Sequence, residues 1–226
     1  MSDTLGSLSE RLGYTFRDQS FLGQALTHRS LGSHNNERLE FLGDSILNFV
    51  IADELYKKFP NEDEGALSRM RASIVRGETL SIVAMSLGLG DHIRLGPGEL
   101  KSGGHRRKSI LADTVEAIIG AVYRDADFAS SRELILLLFT EQLDAVVPGP
   151  GLKDPKSRLQ EYLQGKQKPL PEYRVTNISG QQHSQVFTIE CHVDGLDKVG
   201  AGTGSSRRQA EQAAADMAYQ MLINNE

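Results

Sequence analysis

Apolar residues recur at helical spacing through most of the first 150 positions. Leu39, Leu42, Ile46, Val50 and Leu55 form one such row, and Leu80, Val83, Ala84 and Leu87 form a second. A third segment, Ser109 to Arg124, is apolar on nearly every side and predicts a buried helix. A fourth, Ser131 to Val147, carries Leu134, Ile135, Leu138, Gln142 and Val146 along one face. Gly96-Pro97-Gly98 and Gly103-Gly104 punctuate a loop before the third helix. The stretch from Val147 to Lys153, with two prolines and two glycines, leaves few ways to continue a helix and predicts a linker over 148–153.

Beyond the linker the period changes. Asp154-Pro155 is placed to cap and open a short helix through Gln164. From Gln185 to Val193 the pattern alternates strictly, with Phe187, Ile189, Cys191 and Val193 on one side and Thr188, Glu190 and His192 on the other. Gly200, Gly202 and Gly204 close the strand region, and a helix from Ser205 places Ala210, Ala213, Ala214, Met217, Met221 and Leu222 on one face. Met85, Met217 and Met221 are expected in the core. The pattern predicts two domains, residues 1–147 and 154–226, the first helical and the second mixed.

Composition narrows the classes. The 226 residues include one cysteine, Cys191, so an intrachain disulfide and a multi-cysteine zinc site are both excluded. No apolar run approaches the ~18 residues that a membrane helix needs, and the N-terminus lacks the features of a signal peptide. A soluble, cytoplasmic protein without a membrane partner is expected. The net charge of −5 argues, as a sum, against a nucleic-acid partner. The excess is unevenly placed, however: residues 1–150 hold 16 basic and 21 acidic side chains, and residues 151–226 hold 9 of each.

The segment Asn36-Glu37-Arg38-Leu39-Glu40-Phe41-Leu42-Gly43-Asp44-Ser45 carries the chemistry. On a helix, Glu37, Glu40 and Asp44 fall within about 60° of one another. The same stripe continues as Leu47, Ile51 and Leu55, so the acids sit on a row that dives into apolar surroundings. The third helix repeats the arrangement, with Asp113 and Glu116 sharing a face with Gly120, whose expected use is close backbone approach. If the two faces pack, Glu40, Asp44, Asp113 and Glu116 converge. Two readings then stand, a divalent cation among the carboxylates or ion pairs with Arg38 or Arg69. An all-oxygen donor set favours Mg²⁺ or Mn²⁺ over zinc. A di-iron carboxylate bundle is excluded, because it needs Glu-x-x-His pairs that the chain lacks.

The ten residues 36–45 resemble the signature of ribonuclease III. Residues 60–76, the Leu95–Gly104 segment and Ile110-Leu-Ala-Asp-Thr-Val-Glu-Ala at 110–117 resemble the bacterial enzyme, and the second domain resembles a double-stranded RNA-binding domain. The resemblance implies an all-α endonuclease domain followed by an α-β-β-β-α RNA-binding domain. It implies a homodimer that cuts each strand of double-stranded RNA, leaving 5′-phosphate and 3′-hydroxyl ends with short 3′ overhangs, in the processing of rRNA and mRNA precursors. Glu40, Asp113 and Glu116 would ligand Mg²⁺, with Mn²⁺ as a substitute, and Asp44 would join the metal site and act with Glu116 on water. No small-molecule cofactor is implied. A non-catalytic double-stranded RNA-binding scaffold with a degenerate nuclease domain is the alternative; it would be favoured by loss of one of the four acids, and none is lost.

Contacts to RNA are expected from three places in the second domain. Gln160, Glu161 and Gln164 would reach 2′-hydroxyls of the minor groove, His183 the next minor groove, and Ser205, Ser206, Arg207 and Arg208 the phosphates. Ser205 and Ser206 also suit a plain helix cap. Gln209 and Glu211 stand where the family's helix often carries lysines, which predicts reduced affinity. In the first domain, Lys101, Arg106, Arg107 and Lys108 form a basic run before the third helix, with Arg106, Arg107 and Glu37 as possible substrate contacts. Thr27-His28-Arg29-Ser30 contains triad residue types but no nucleophile elbow accompanies them.

Overall fold

The computed structural model describes residues 2–149, 154–181, 184–196 and 198–224. The chain divides into two units, Met1–Pro148 and Gly149–Glu226. The predicted linker falls partly on residues 150–153, outside the described residues; Pro148 and Gly149 belong to no helix or strand.

Unit 1 is built from nine α-helices among the described residues, with three short 3-10 turns between them: α1 (Ser2–Leu12), α2 (Gln19–Ala25), α3 (Glu37–Lys58), α4 (Glu64–Val75), α5 (Gly77–Ser86), α6 (Pro97–Lys101), α7 (Lys108–Asp125), α8 (Phe128–Leu138) and α9 (Thr140–Ala145). As its all-round apolar pattern predicts, α7 is the central element. Residues Ile110, Leu111, Val115, Ile118, Ile119 and Val122 are buried, with α2, α3, α5 and α8 packed around it. Burying one such side chain contributes about 1.5–3 kcal/mol. The α3 stripe behaves as its sequence indicates, with Leu47, Ile51 and Leu55 fully buried. The fourth predicted helix is two. The chain breaks at the buried Phe139 (φ −112°, ψ 15°), where Thr140 Oγ1 donates to the Leu136 carbonyl at 2.6 Å and competes with the helical ladder. Met85 lies on the surface rather than in the core.

What fixes α3 against α7 is a pair of glycines. A methyl group placed on Gly43 would overlap the Glu116 carbonyl oxygen, and one placed on Gly120 would overlap the Leu39 carbonyl oxygen. The two backbones touch there with no side chain between them.

Unit 2 runs α10 (Pro155–Gly165), β1 (Glu172–Ser179), β2 (Val186–His192), β3 (Gly200–Gly204) and α11 (Arg207–Asn224). The strands form an antiparallel meander in the order β1-β2-β3, pairing Tyr173 with Cys191 and Ile189 with Gly202. Asp154 caps α10 as expected, accepting from Ser157 N at 3.1 Å. Leu159 and Leu163 of α10 and Ala210, Ala214, Ala215, Ala218 and Leu222 of α11 join Ile189, Cys191 and Val193 in one core. Gly200, Gly202 and Gly204 close the strand region as expected, and do so as the last strand, β3 itself. A side chain on any of them would strike the α11 backbone, so the helix lies directly on the strand. This contact also corrects the predicted face of α11, since Ala213 and Met217 are exposed while Ala215 and Ala218 are buried.

No helix among the described residues is long and apolar enough to cross a membrane. The α3–α7 contact makes a prediction. Gly43→Ala should lower stability by about 1–3 kcal/mol through overpacking, read as a fall in the denaturant midpoint of the helical signal. An unchanged midpoint would show that the helices part freely at this point.

Candidate metal centre and nucleic-acid surfaces

The glycine contact determines where the acids go. On α3, Glu40 and Asp44 flank Gly43; on α7, Glu116 and Asp113 lie one and two turns before Gly120. Glu40, Asp113 and Glu116 each offer a carboxylate oxygen, and these oxygens lie within 4.8 Å of one another. All three side chains are partly buried. Burial, followed by the charges of Asp44, Glu40 and Asp113, raises Glu116 to a pKa of about 8. Burial and then Asp113 and Glu37 raise Glu40, against the opposing charge of Arg29. Asp113 is raised by burial, opposed by His28 and Arg29.

Asp44 takes a different place from the other three. It is exposed, accepts from Asn48 Nδ2 at 2.8 Å, and is absent from the three-acid group, although its charge is the largest Coulombic influence on Glu116. Glu37 is also outside the group, paired with Arg29 at 3.5 Å and with Asn35 Nδ2 at 3.2 Å. The ion-pair reading fails: among the described residues none of Glu40, Asp44, Asp113 and Glu116 forms an ion pair, with Arg38, Arg69 or any other cation. Three carboxylates crowded without a counter-ion form an all-oxygen donor set that suits a hard divalent cation.

A cleft of about 440 Å³ opens beside this cluster, with Glu40 and Asp113 in one wall and His28, Arg29, Ser30 and Arg107 among its other lining residues. Sequence reasoning missed His28, Arg29 and Ser30. They reach the cleft because Thr27 pairs with Arg94, His28 N donates to the Arg94 carbonyl at 3.0 Å, and Gly96 N donates to Ser30 Oγ at 2.9 Å. Nothing in local spacing signals a contact across so long a sequence separation. Of the basic run, Arg107 lines the cleft, pairing with Glu99 and donating to Ser102 Oγ at 3.3 Å. Arg106, Lys101 and Lys108 are exposed and do not line it, and Lys108 lies 3.6 Å from Glu78.

In unit 2, Gln160, Glu161 and Gln164 are exposed on α10, and Ser205, Ser206, Arg207 and Arg208 are exposed where α11 begins. Ser206 Oγ accepts from Gln209 N at 3.3 Å, so the capping reading holds for it, and Ser205 Oγ donates to Gln209 Oε1 at 2.6 Å. His183 lies outside the described residues.

Comparison with known proteins agrees with both units. Residues 18–143 match a family model described as ribonuclease-III-like, and residues 155–222 match one for the double-stranded RNA binding motif. The chain is 59% identical over 224 residues to a protein named Ribonuclease 3 from Vibrio vulnificus strain CMCP6, covering 99% of this chain and all of that one. It is 60% identical over 222 residues to the Ribonuclease 3 of Aliivibrio fischeri, covering 98% of this chain and all of the relative. A solved nuclease domain of ribonuclease III from Campylobacter jejuni, described by its flexibility in a region involved in dimer formation, superposes with a TM-score of 0.59 at 42% identity. That match covers 60% of this chain and 96% of the other. Matched over nearly its whole length, with the helical unit before the RNA-binding unit, the chain belongs to the ribonuclease III family.

Proposed function

We propose that this chain is a metal-dependent endoribonuclease that hydrolyses phosphodiester bonds of double-stranded RNA as a cytoplasmic homodimer. The observation that carries the reading is the convergence of Glu40, Asp113 and Glu116 without a counter-ion beside a cleft, in a chain that also has a double-stranded RNA binding motif. Each copy contributes one acidic cluster, so a dimer has one for each strand of a duplex. Staggered cuts then leave 5′-phosphate and 3′-hydroxyl ends with short 3′ overhangs, in the processing of rRNA and mRNA precursors. The scaffold alternative gains no support from any of these observations.

Glu40, Asp113 and Glu116 would hold the cation, Mg²⁺ with Mn²⁺ as a substitute. Bound there, it supplies Lewis acidity and an acidified water for attack on phosphorus. The remaining work falls to the chain. Burial and its acidic neighbours favour the protonated form of Glu116 near neutral pH, and a cation held there would favour the ionised form. Asp44, held by Asn48 at the edge of the cluster, orients water beside Glu116. Arg29, His28 and Arg107 offer donors to phosphate oxygens along the cleft, and Glu37 keeps Arg29 in place. In unit 2, Gln160, Glu161 and Gln164 meet 2′-hydroxyls, His183 the adjacent groove, and Ser205, Ser206, Arg207 and Arg208 the phosphates. The domain at 154–226 thus reads A-form shape, while the domain at 1–147 cuts.

Two outcomes test the reading. Glu116→Gln should reduce cleavage of a labelled RNA duplex by roughly 10²–10³ or more, the scale of losing one charged group at the reacting centre. Binding of the duplex in chelator should change by no more than about threefold. Full cleavage by this variant would remove the nuclease assignment to this cluster.

The second outcome concerns pH. A carboxyl whose folded pKa is raised gives stability that is fully present below its unfolded value and lost as pH rises through the folded one. In chelator, thermal stability should therefore fall between about pH 4.5 and about pH 8 on account of Glu116. Saturating Mg²⁺ should flatten that fall, and calorimetry near pH 7 should find proton release on metal binding. A pH dependence unaffected by Mg²⁺ would separate the cation from these acids.

A further inference from the structure

Glu211 stands on the helix that opens at the phosphate-contacting residues, where a carboxylate would be expected to repel RNA. Its surroundings give it another part. Lys156 Nζ of α10 donates to Glu211 Oε2 at 2.9 Å, and Arg207 Nε, one turn earlier on α11, donates to Oε1 at 3.0 Å. The Glu211 side chain is 15% exposed, against 66% for Arg207. The carboxylate is therefore turned inward between two cations. Its acidity reflects this: the hydrogen bond from Lys156 above all, helped by that from Arg207, holds it below the usual range despite burial.

Lys156 is itself anchored. Its ammonium stands 4.3 Å from the centre of the Tyr173 ring, and its backbone N–H donates to Gln212 Oε1 at 3.1 Å. Gln212 Nε2 in turn donates to Oδ1 of Asp154, the cap of α10, at 2.9 Å. The inner end of the triad is thus a fixed point between the two helices that present the RNA contacts. Lys156 and Glu211 cancel in charge, so the triad presents one net positive charge, at the Arg207 guanidinium. Glu211 takes only the Nε–H, and among the described residues nothing takes the Nη donors. An arginine held this way has given up rotamer freedom before a phosphate arrives, which lowers the entropy cost of binding.

We infer that Glu211 is a positioning residue for duplex RNA: anchored on Lys156, it holds Arg207 ready for a backbone phosphate instead of opposing it. The inference rests on the reading of unit 2 as the duplex-binding module.

The test is anisotropy titration of a labelled RNA duplex with the full chain, in chelator, across a range of salt. Glu211→Gln removes a negative charge at nearly constant shape, yet should weaken binding by about five- to tenfold and lower the salt slope by about one phosphate, roughly 0.7–0.9. Glu211→Asp keeps the charge but shortens the reach, and should weaken binding as well. Arg207→Gln should cost little more in the Glu211→Gln background than the background itself costs, because both changes remove one contact. Tighter binding or a steeper slope in Glu211→Gln would overturn the inference and make Glu211 a repulsive charge. Additive losses for Glu211→Gln and Arg207→Gln would also overturn it, leaving Glu211 a role in stability alone. An unmodified chain that fails to bind duplex RNA would overturn the module reading, and this inference with it.

Discussion

Helices in contact usually stand 8–10 Å apart, the spacing set by the side chains between them. At Gly43 and Gly120 there are none, and α3 and α7 meet backbone to backbone. That approach is what lets short acidic side chains on two different helices reach one another. With α2, α5 and α8 also packed on α7, the helix has little freedom to retreat. The carboxylate spacing, the adjoining cleft wall at Glu40 and Asp113, and any cation held there all inherit their geometry from two missing side chains.

The same contact creates a conflict that the fold does not resolve internally. Burial drives Glu116, Glu40 and Asp113 toward their protonated forms, neighbouring acids add to this at Glu116 and Glu40, and among the described residues no cation forms an ion pair with them. The surrounding packing tolerates this. Leu47, Ile51 and Leu55 on one helix and Ile118, Ile119 and Val122 on the other are fully buried, and each contributes about 1.5–3 kcal/mol. A handful of such side chains outweighs a local electrostatic penalty. Natural sequences accept a locally unfavourable arrangement of this kind where function requires it. The unresolved repulsion is of the kind that a small, hard, doubly charged ion relieves.

Much of this was legible in the sequence, for identifiable reasons. The burial of α7 follows from apolar residues on every side, and the α3 stripe from acids to Leu47 and Ile51 follows from helical periodicity. The Gly120 contact was legible because a glycine in a helix interior needs a reason. Other features were hidden by the same rules. β1 escapes an alternation test because nearly every residue on it is exposed. Gly200, Gly202 and Gly204 look like turn residues because their strand role depends on α11, which lies directly upon them. The break at Phe139 interrupts a face whose apolar spacing carries on across it. Asp44 fits the acidic stripe by angle yet is exposed and accepts from Asn48, a side-chain placement that periodicity does not carry. His28, Arg29 and Ser30 enter the cleft only through a pairing with Arg94, a tertiary fact with no local trace.

Charge shows the same limit of local signals on a larger scale. The total of −5 is a poor guide to a nucleic-acid partner because ionised groups act over about 8–10 Å at ordinary ionic strength, not over a whole chain. Within that range each acid must be judged by what it faces. Glu40, Asp113 and Glu116 face one another, and so constitute a demand for a cation. Glu211 faces Lys156 and Arg207, and is spent before any ligand arrives. Carboxyl groups that all stand on helices thus enter the electrostatics with opposite consequences. In unit 1 the negative charge suits a cation; in unit 2 it is internal wiring that leaves an arginine presented outward. A sum treats the two alike, which is why it points away from the RNA that both units are arranged to meet.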